Sequence, residues 1–314
     1  MIRNQRDMVP FQRVSFFKSF FVVYRVAYYI WILCLIPCFL FGKVYDCFPF
    51  FNELELLQVR FAELNDTVDY FVLVESVETQ RGDPKPLYFA ENKHLFEKYL
   101  PKVIHVIIDE RHPEMGMWKR EHFQRNAILR GLTKCSPSDL IILSDLDEIP
   151  RASVIANLKK LFENSSPIPA KAPLFRSKKA EKKYRKKYTD LGAYAFQMDH
   201  YSYQLNRQIP SKEIRDGGYW QGTIVMTYEK MKAHSPQYFR QRRNKLPRIE
   251  NGGWHFSSMG GKEKVRQKIS SIVEGRSDGA SVPDEEIERW INEYPIVALG
   301  DIVKSCVSAT EHTL

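Results

Sequence analysis

Cysteine is scarce in this chain, five in 314 residues, which excludes a fold built on disulfides. Cys34 and Cys38 fall in an apolar run, and the odd set Cys47, Cys135 and Cys306 gives no readable pairing. No internal repeat is present, and no zinc-finger spacing, RNP signature or helix-turn-helix pattern. With hydrophobic residues at 44% and charged residues at 27%, the composition excludes disordered, collagen-like and low-complexity chains. The length suits one large domain or two ordinary ones.

Negative charge is also in short supply: 38 Asp and Glu against 47 Lys and Arg, a net +9. The imbalance is local. Residues 171–187 hold nine basic residues opposed by Glu181 alone, and Arg240, Arg242, Arg243, Lys245 and Arg248 form a second stretch. Such runs usually face water. A solvated, partly helical excursion with Tyr184 and Tyr188 on its inner side is the favoured reading, and nucleic acid is not expected as a partner.

Charge of either sign is missing from Val26 to Phe41, VAYYIWILCLIPCFLF. Extended back to Phe20, the run approaches the roughly 20 residues of a membrane helix, with Arg25 snorkelling. Arg3, Arg6, Arg13, Lys18 and Arg25 precede it and only Lys43 follows closely. That asymmetry keeps the N-terminus cytosolic and sends the rest across the membrane. A cleaved signal peptide is the competing reading, but Pro37, Cys38, Phe39 and Leu40 offer no small-x-small site. The expectation is a basic tail over 1–19, a signal anchor over 20–42, a catalytic domain over 43–305 and a tail over 306–314. Two sequons, at Asn65 and Asn164, agree with translocation.

Beyond the run, strands and helices alternate. Lys43–Phe48, Tyr70–Val74, Val103–Ile108 and Leu140–Leu143 read as strands. Glu53–Leu64, Glu91–Tyr99 and Trp118–Leu132 read as helices. This order predicts an α/β fold with a mostly parallel sheet covered on both faces. Later, Tyr194–Leu205 and Tyr219–Thr227 read as aromatic-rich strands and Lys262–Val273 as a helix. A nucleotide-binding half over about 43–150 and a substrate-facing half over about 189–275 are expected.

Open α/β sheets bind ligands beyond the carboxyl ends of their strands. Asp145 and Asp147 stand there, directly after LIIL, with Leu146 between them turned to the core. Paired carboxylates repel, and a hard divalent cation relieves the repulsion. A diphosphate brings further oxygens to the same ion. The alternative is an acidic turn in which Asp147 or Glu148 caps the helix after Pro150. His255 lies in what reads as a glycine-flanked loop, Gly252-Gly253 to Gly260-Gly261. Beside it Trp254 is either a wall for a sugar face or a core residue. Arg125 and Asn126 precede the acidic strand and suit a nucleotide. A surface Arg125–Glu121 pair is the plainer reading.

Four stretches in order, KVYDCFPFFNELELLQVRFAELNDTVDYFVLVES, GDPKPLYF, SDLDEIP and GGWHFS, resemble glycosyltransferase family 17 over roughly Lys43 to Ser271. The resemblance implies a GT-A-type fold and inversion at the anomeric carbon. It implies Mn²⁺ or another divalent cation and a UDP-sugar donor, UDP-GlcNAc being expected, with mannose of an N-glycan-like acceptor. It also implies a type II membrane anchor, Golgi-resident in a eukaryote. Carried over by residue, Asp145 and Asp147 match the acidic metal motif and His255 the Gly-Trp-His motif; because imidazole nitrogen is acceptable to Mn²⁺, Asp145, Asp147 and His255 are the expected metal set, with Asp147 the more direct ligand and Asp145 shared with the ribose. Trp254 matches the Gly-Trp-His motif, while Glu53, Glu75 and Ser76 match positions near the nucleotide. An inverting transfer needs a general base, and Asp216 in Arg215-Asp216-Gly217-Gly218 is the candidate, with Glu274 and Glu148 as alternatives.

Overall fold

The LIIL strand has two apolar faces to bury, and it lies inside an eight-stranded sheet. The computed structural model describes residues 42–171, 177–188, 191–204, 208–209, 219–273, 275 and 279–293. The elements begin with β1 (Val44–Phe50), α1 (Leu54–Leu64), β2 (Tyr70–Ser76), α2 (Tyr88–Glu91), β3 (Val103–Ile108), α3 (Met117–Asn126) and β4 (Leu140–Leu143). They continue with β5 (Glu148–Pro150), α4 (Ala152–Glu163), α5 (Lys178–Tyr188), β6 (Ala193–Ser202), β7 (Trp220–Thr227), α6 (Tyr228–Lys232) and α7 (Pro236–Arg240). Last come β8 (Arg248–Ser257), α8 (Gly261–Ser271) and α9 (Asp284–Glu293).

The strand order is β3-β2-β1-β4-β7-β6-β8-β5. The first four strands are parallel. β7 is antiparallel to both β4 and β6, β8 is parallel to β6, and β5 closes the edge antiparallel to β8. The sheet is therefore mixed, and the parallel pattern expected from the sequence holds for its first half.

Alternation divides the apolar residues between two layers. Val44, Phe48, Phe71, Leu73, Leu140 and Ile142 pack on one face, against Leu57, Phe61 and Leu64 of α1. Tyr45, Cys47, Val72, Val74, Ile141 and Leu143 pack on the other, against Ala127, Ile128 and Leu132. Near-continuous apolar strands are what a sheet covered on both faces requires. Asp46 interrupts the first layer and is fully buried. Arg60 of α1 reaches it through Nε at 2.7 Å and Nη2 at 2.6 Å. The same guanidinium donates to the carbonyls of Asp145, Leu146 and Glu148, each at 3.0 Å, and to Ser144 Oγ at 2.5 Å. One buried arginine thus ties α1 and β1 to the turn after β4.

Several expected elements differ in detail. Glu91–Tyr99 is not one helix: α2 ends at Glu91 and a 3₁₀ turn follows over Lys93–Phe96. Trp118–Leu132 is α3 followed by a 3₁₀ segment over Ala127–Gly131. Glu148–Pro150 is a strand and Arg151 is the N-cap of α4, so neither Asp147 nor Glu148 caps that helix. Gly252-Gly253-Trp254-His255 is the body of β8, not a loop. A Cβ on Gly252 would stand 2.5 Å from Phe196 Cβ, and one on Gly253 would stand 2.2 Å from the Ile149 carbonyl oxygen. These glycines let neighbouring strands close on β8. α5 carries part of the basic run, with Lys178, Lys179, Lys182 and Lys183 exposed and Tyr184 buried. The apolar run 26–41, Asp216, Glu274 and Cys306 lie outside the described residues. Among the described residues no helix is long and apolar enough to cross a membrane.

Candidate active site

A cleft of about 670 Å³ opens along the carboxyl ends of β1, β2 and β4 and is closed by α3, α7, β8 and α8. Leu146 is buried in the core, so the turn after β4 offers Asp145 and Asp147 to the cleft, as alternation requires.

The two aspartates have different surroundings. Asp145, 31% exposed in its side chain, is held by two guanidiniums. Arg125 Nη1 donates to one oxygen at 2.6 Å, and Arg240 Nη2 takes the other. Arg125 is itself paired with Glu121, and Arg240 with Glu148 through contacts of 2.7 and 2.8 Å. The Arg125–Glu121 pair is buried, not a surface pair. Asp147 faces Lys268 Nζ at 2.7 Å and His255 Nε2 at 3.7 Å. Burial alone would raise both carboxyls. Arg125 and Arg240 at Asp145, and Lys268 and His255 at Asp147, outweigh it and hold both below the usual carboxylate range.

Strand register explains why His255 arrives here from a hundred residues away. Glu148 of β5 and His200 of β6 each lie opposite His255 of β8, and opposed residues share a face. The His255 ring stacks on His200 at 4.3 Å and on Trp220 at 4.2 Å. Burial pushes His200 down to about 3, with the His255 ring adding to it, and pushes His255 down against the pull of Asp147. At pH 7 the His200 imidazole is neutral. His255 Nδ1 and His200 Nε2 are buried without a hydrogen-bond partner.

Other expected site residues fall elsewhere. Trp254 points to the opposite face of β8, 6% exposed in the apolar core, with the Arg151 guanidinium 4.1 Å above its ring. Trp220 takes the place expected for it at the cleft. Glu75 is fully buried and accepts from the Phe89 and Ala90 amides at the start of α2 and from His105, off the cleft. Asn126 accepts from the Gln237 amide at 3.1 Å, joining α3 to α7 instead of facing the cleft. Glu53 and Ser76 do line the cleft. Glu148 is fully buried, and Trp220, Arg240 and the Asp145 amide occupy its oxygens, which leaves it no capacity as a base.

Among the described residues, the charges lining the cleft balance. Lys85, Arg125, Arg240, Arg243 and Lys268 bring five positive charges, and Glu53, Glu78, Glu121, Asp145 and Asp147 bring five negative ones. Sequence reading placed Arg240 in a solvated basic stretch. Its neighbours Tyr238 and Phe239 were the signal that this short helix packs inward, and Phe239 is fully buried.

The family model of Glycosyltransferase family 17 matches residues 30–169. Beta-1,4-mannosyl-glycoprotein 4-beta-N-acetylglucosaminyltransferase of Rattus norvegicus is 34% identical over 133 residues, 40% of this chain and 25% of that protein. The Homo sapiens protein of the same name is 36% identical over 116 residues, 34% and 22% of the two chains. The chain thus matches about a quarter of the length of these curated relatives. Among solved structures, a mannosyltransferase from Pyrobaculum calidifontis in complex with GDP-Man and Mn²⁺ aligns at 11% identity. That alignment covers 86% of this chain and 74% of the other, with a TM-score of 0.35. Residues 30–169 of the chain are thus similar to Glycosyltransferase family 17 and, within that segment, to the named transferases.

Proposed function

We propose that this protein transfers a sugar from a UDP-sugar, UDP-GlcNAc by analogy with the named relatives, to a mannose of an N-glycan-like acceptor. The observation that carries this reading is the charge-balanced cleft at the strand ends, with Asp147 and His255 facing one another in it. A cleft that already balances its own charge favours a diphosphate that arrives with its own counter-ion. Asp147 Oδ1 and His255 Nε2 fit that ion as an oxygen and nitrogen pair, and Mn²⁺ accepts both donor types. Asp145 does not join them, because both its oxygens are held by guanidiniums. A divalent cation held by Asp147 and His255 would neutralise charge on the departing UDP.

The chain's own residues do the rest. Arg125 and Arg240 fix the Asp145 carboxylate in its ionised form at the cleft wall, where ribose hydroxyls can donate to it. Trp220, stacked on His255, gives the cleft an aromatic wall. The acceptor oxygen forms its bond to the anomeric carbon as the bond to UDP breaks, which inverts the centre. Its proton passes to a base, for which Asp216 is our candidate. The test is transfer from radiolabelled UDP-sugars to a glycan array with Mn²⁺ or with EDTA. Transfer that needs Mn²⁺ is expected. Binding of UDP without any transfer or hydrolysis would reduce the protein to a sugar-nucleotide binder.

We also propose that residues 20–42 anchor the chain as a single-pass type II membrane protein. In sealed microsomes the domain beyond residue 42 is expected to resist added protease. Its digestion from the cytosolic side would reverse the orientation.

A further inference from the structure

Among the described residues, all five cations lining the cleft are engaged with protein. Arg125 and Arg240 clamp Asp145. Lys85 stands over the Phe51 and Tyr88 rings, and Arg243 over Trp220. Lys268 is placed differently. Its ammonium lies 2.7 Å from Asp147 Oδ2 and 3.4 Å from Glu53 Oε1, and its side chain is 15% exposed. Glu53 follows β1 and Asp147 follows β4, so the ammonium sits where two adjacent parallel strands end. An ammonium has three protons to donate. Two carboxylates use two of them, and Lys268 also lines the cleft. A compact point charge with a proton to spare suits a phosphate oxygen.

The element that brings Lys268 there is built to be placed by polar contacts. The buried side of α8 packs with Val282, Ile287 and Ile291 in an apolar cluster separate from the two layers of the sheet. Polar contacts tie α8 and the residues just after it to the first half of the chain: Lys264 to Glu55, Asn52 Nδ2 to Gln267 Oε1 at 2.7 Å, and Val273 N to Gln80 Oε1 at 2.9 Å. Left-handed backbone at Ser258, Gly260 and Gly261 (φ 55°, 104° and 80°) sets its entry.

We propose that Lys268 binds the diphosphate of the sugar nucleotide, so that α8, outside the family-matched segment 30–169, completes the donor site. The proposal rests on the UDP-sugar reading above. Its test is calorimetric titration of UDP into the wild type, Lys268→Met and Lys268→Arg, each in Mn²⁺ and in EDTA. Loss of a charge-assisted hydrogen bond should weaken UDP about 10- to 100-fold in Lys268→Met, in both buffers, with Lys268→Arg recovering most of the loss. A loss confined to Mn²⁺ buffer would mean that Lys268 only positions Asp147, and would overturn the proposal. Unchanged UDP affinity would overturn it as well. A second measurement needs no variant: in EDTA, UDP should protect Lys268 of the wild type from acetylation, read by mass spectrometry, and unprotected labelling in UDP-saturated protein would refute the assignment. Failure of the wild type to bind UDP would sink the donor reading itself, whereas equal binding by wild type and Lys268→Met sinks only the role of Lys268.

Discussion

Arg60→Met should lower the stability of the folded domain by about 3–5 kcal/mol, the cost of leaving one partner of a buried ion pair uncompensated. Both Arg60 and Asp46 have no exposed side-chain surface. Without the guanidinium, the Asp46 carboxylate has lost its counter-charge. The carbonyls of Asp145, Leu146 and Glu148 lose a shared donor at the same time. The measurement is thermal denaturation followed by tryptophan fluorescence, with an expected fall in Tm of about 6–20 °C for a domain of this size. The double variant Asp46→Leu with Arg60→Met removes both charges and should recover part of the loss. A single variant within about 1 kcal/mol of the wild type would show that water reaches Asp46 and that the pair matters little. Because Arg60 also holds the turn that carries both cleft aspartates, surviving folded protein should be impaired in catalysis too.

This residue shows where sequence reading stopped. Leu54, Leu57, Phe61 and Leu64 gave the helix correctly. Arg60 lies three residues after Leu57 and four before Leu64, on the same apolar side, and a charge there demands a buried partner. Periodicity marks that demand but does not name Asp46. The strand ends were legible for a related reason: LIIL followed by Ser-Asp-Leu-Asp leaves two carboxylates only one direction to face. Trp254 stays open between a sugar wall and a core residue as long as the glycines read as a loop. Once Gly252 and Gly253 are strand residues, period-2 alternation puts Trp254 in the core and His255 in the cleft. Glu75 looked like a site residue from its motif, yet its carboxylate is taken up by the start of α2. The clamps at the cleft join residues far apart in sequence, Asp145 to Arg240 and Asp147 to Lys268. No local pattern encodes those pairings, because they depend on how β7, β8 and α8 return to the first half of the sheet.

Asp147→Asn should abolish nearly all transfer while leaving the fold in place. The substitution keeps the side-chain shape and removes one negative charge. In the wild type, Lys268 and His255 keep that charge on the carboxylate despite its burial. On the proposed reading it is the oxygen ligand of the divalent cation, and Asn is a weaker donor. Loss of diphosphate stabilisation should cost about 4 kcal/mol of barrier, on the order of 10³-fold in kcat/KM. Asp145→Asn is the control that separates the two carboxylates. It leaves Arg125 with Glu121 and Arg240 with Glu148, so its effect should fall on nucleotide binding and on packing of the clamp. The measurement is the Mn²⁺ dependence of transfer by each variant. Asp147→Asn should need far more Mn²⁺ for whatever activity remains, and Asp145→Asn should half-saturate close to the wild-type concentration. If Asp147→Asn stays within tenfold of the wild type at the same Mn²⁺ requirement, Asp147 is not the ligand, and Lys268 with the arginines must carry the charge of the leaving diphosphate by themselves.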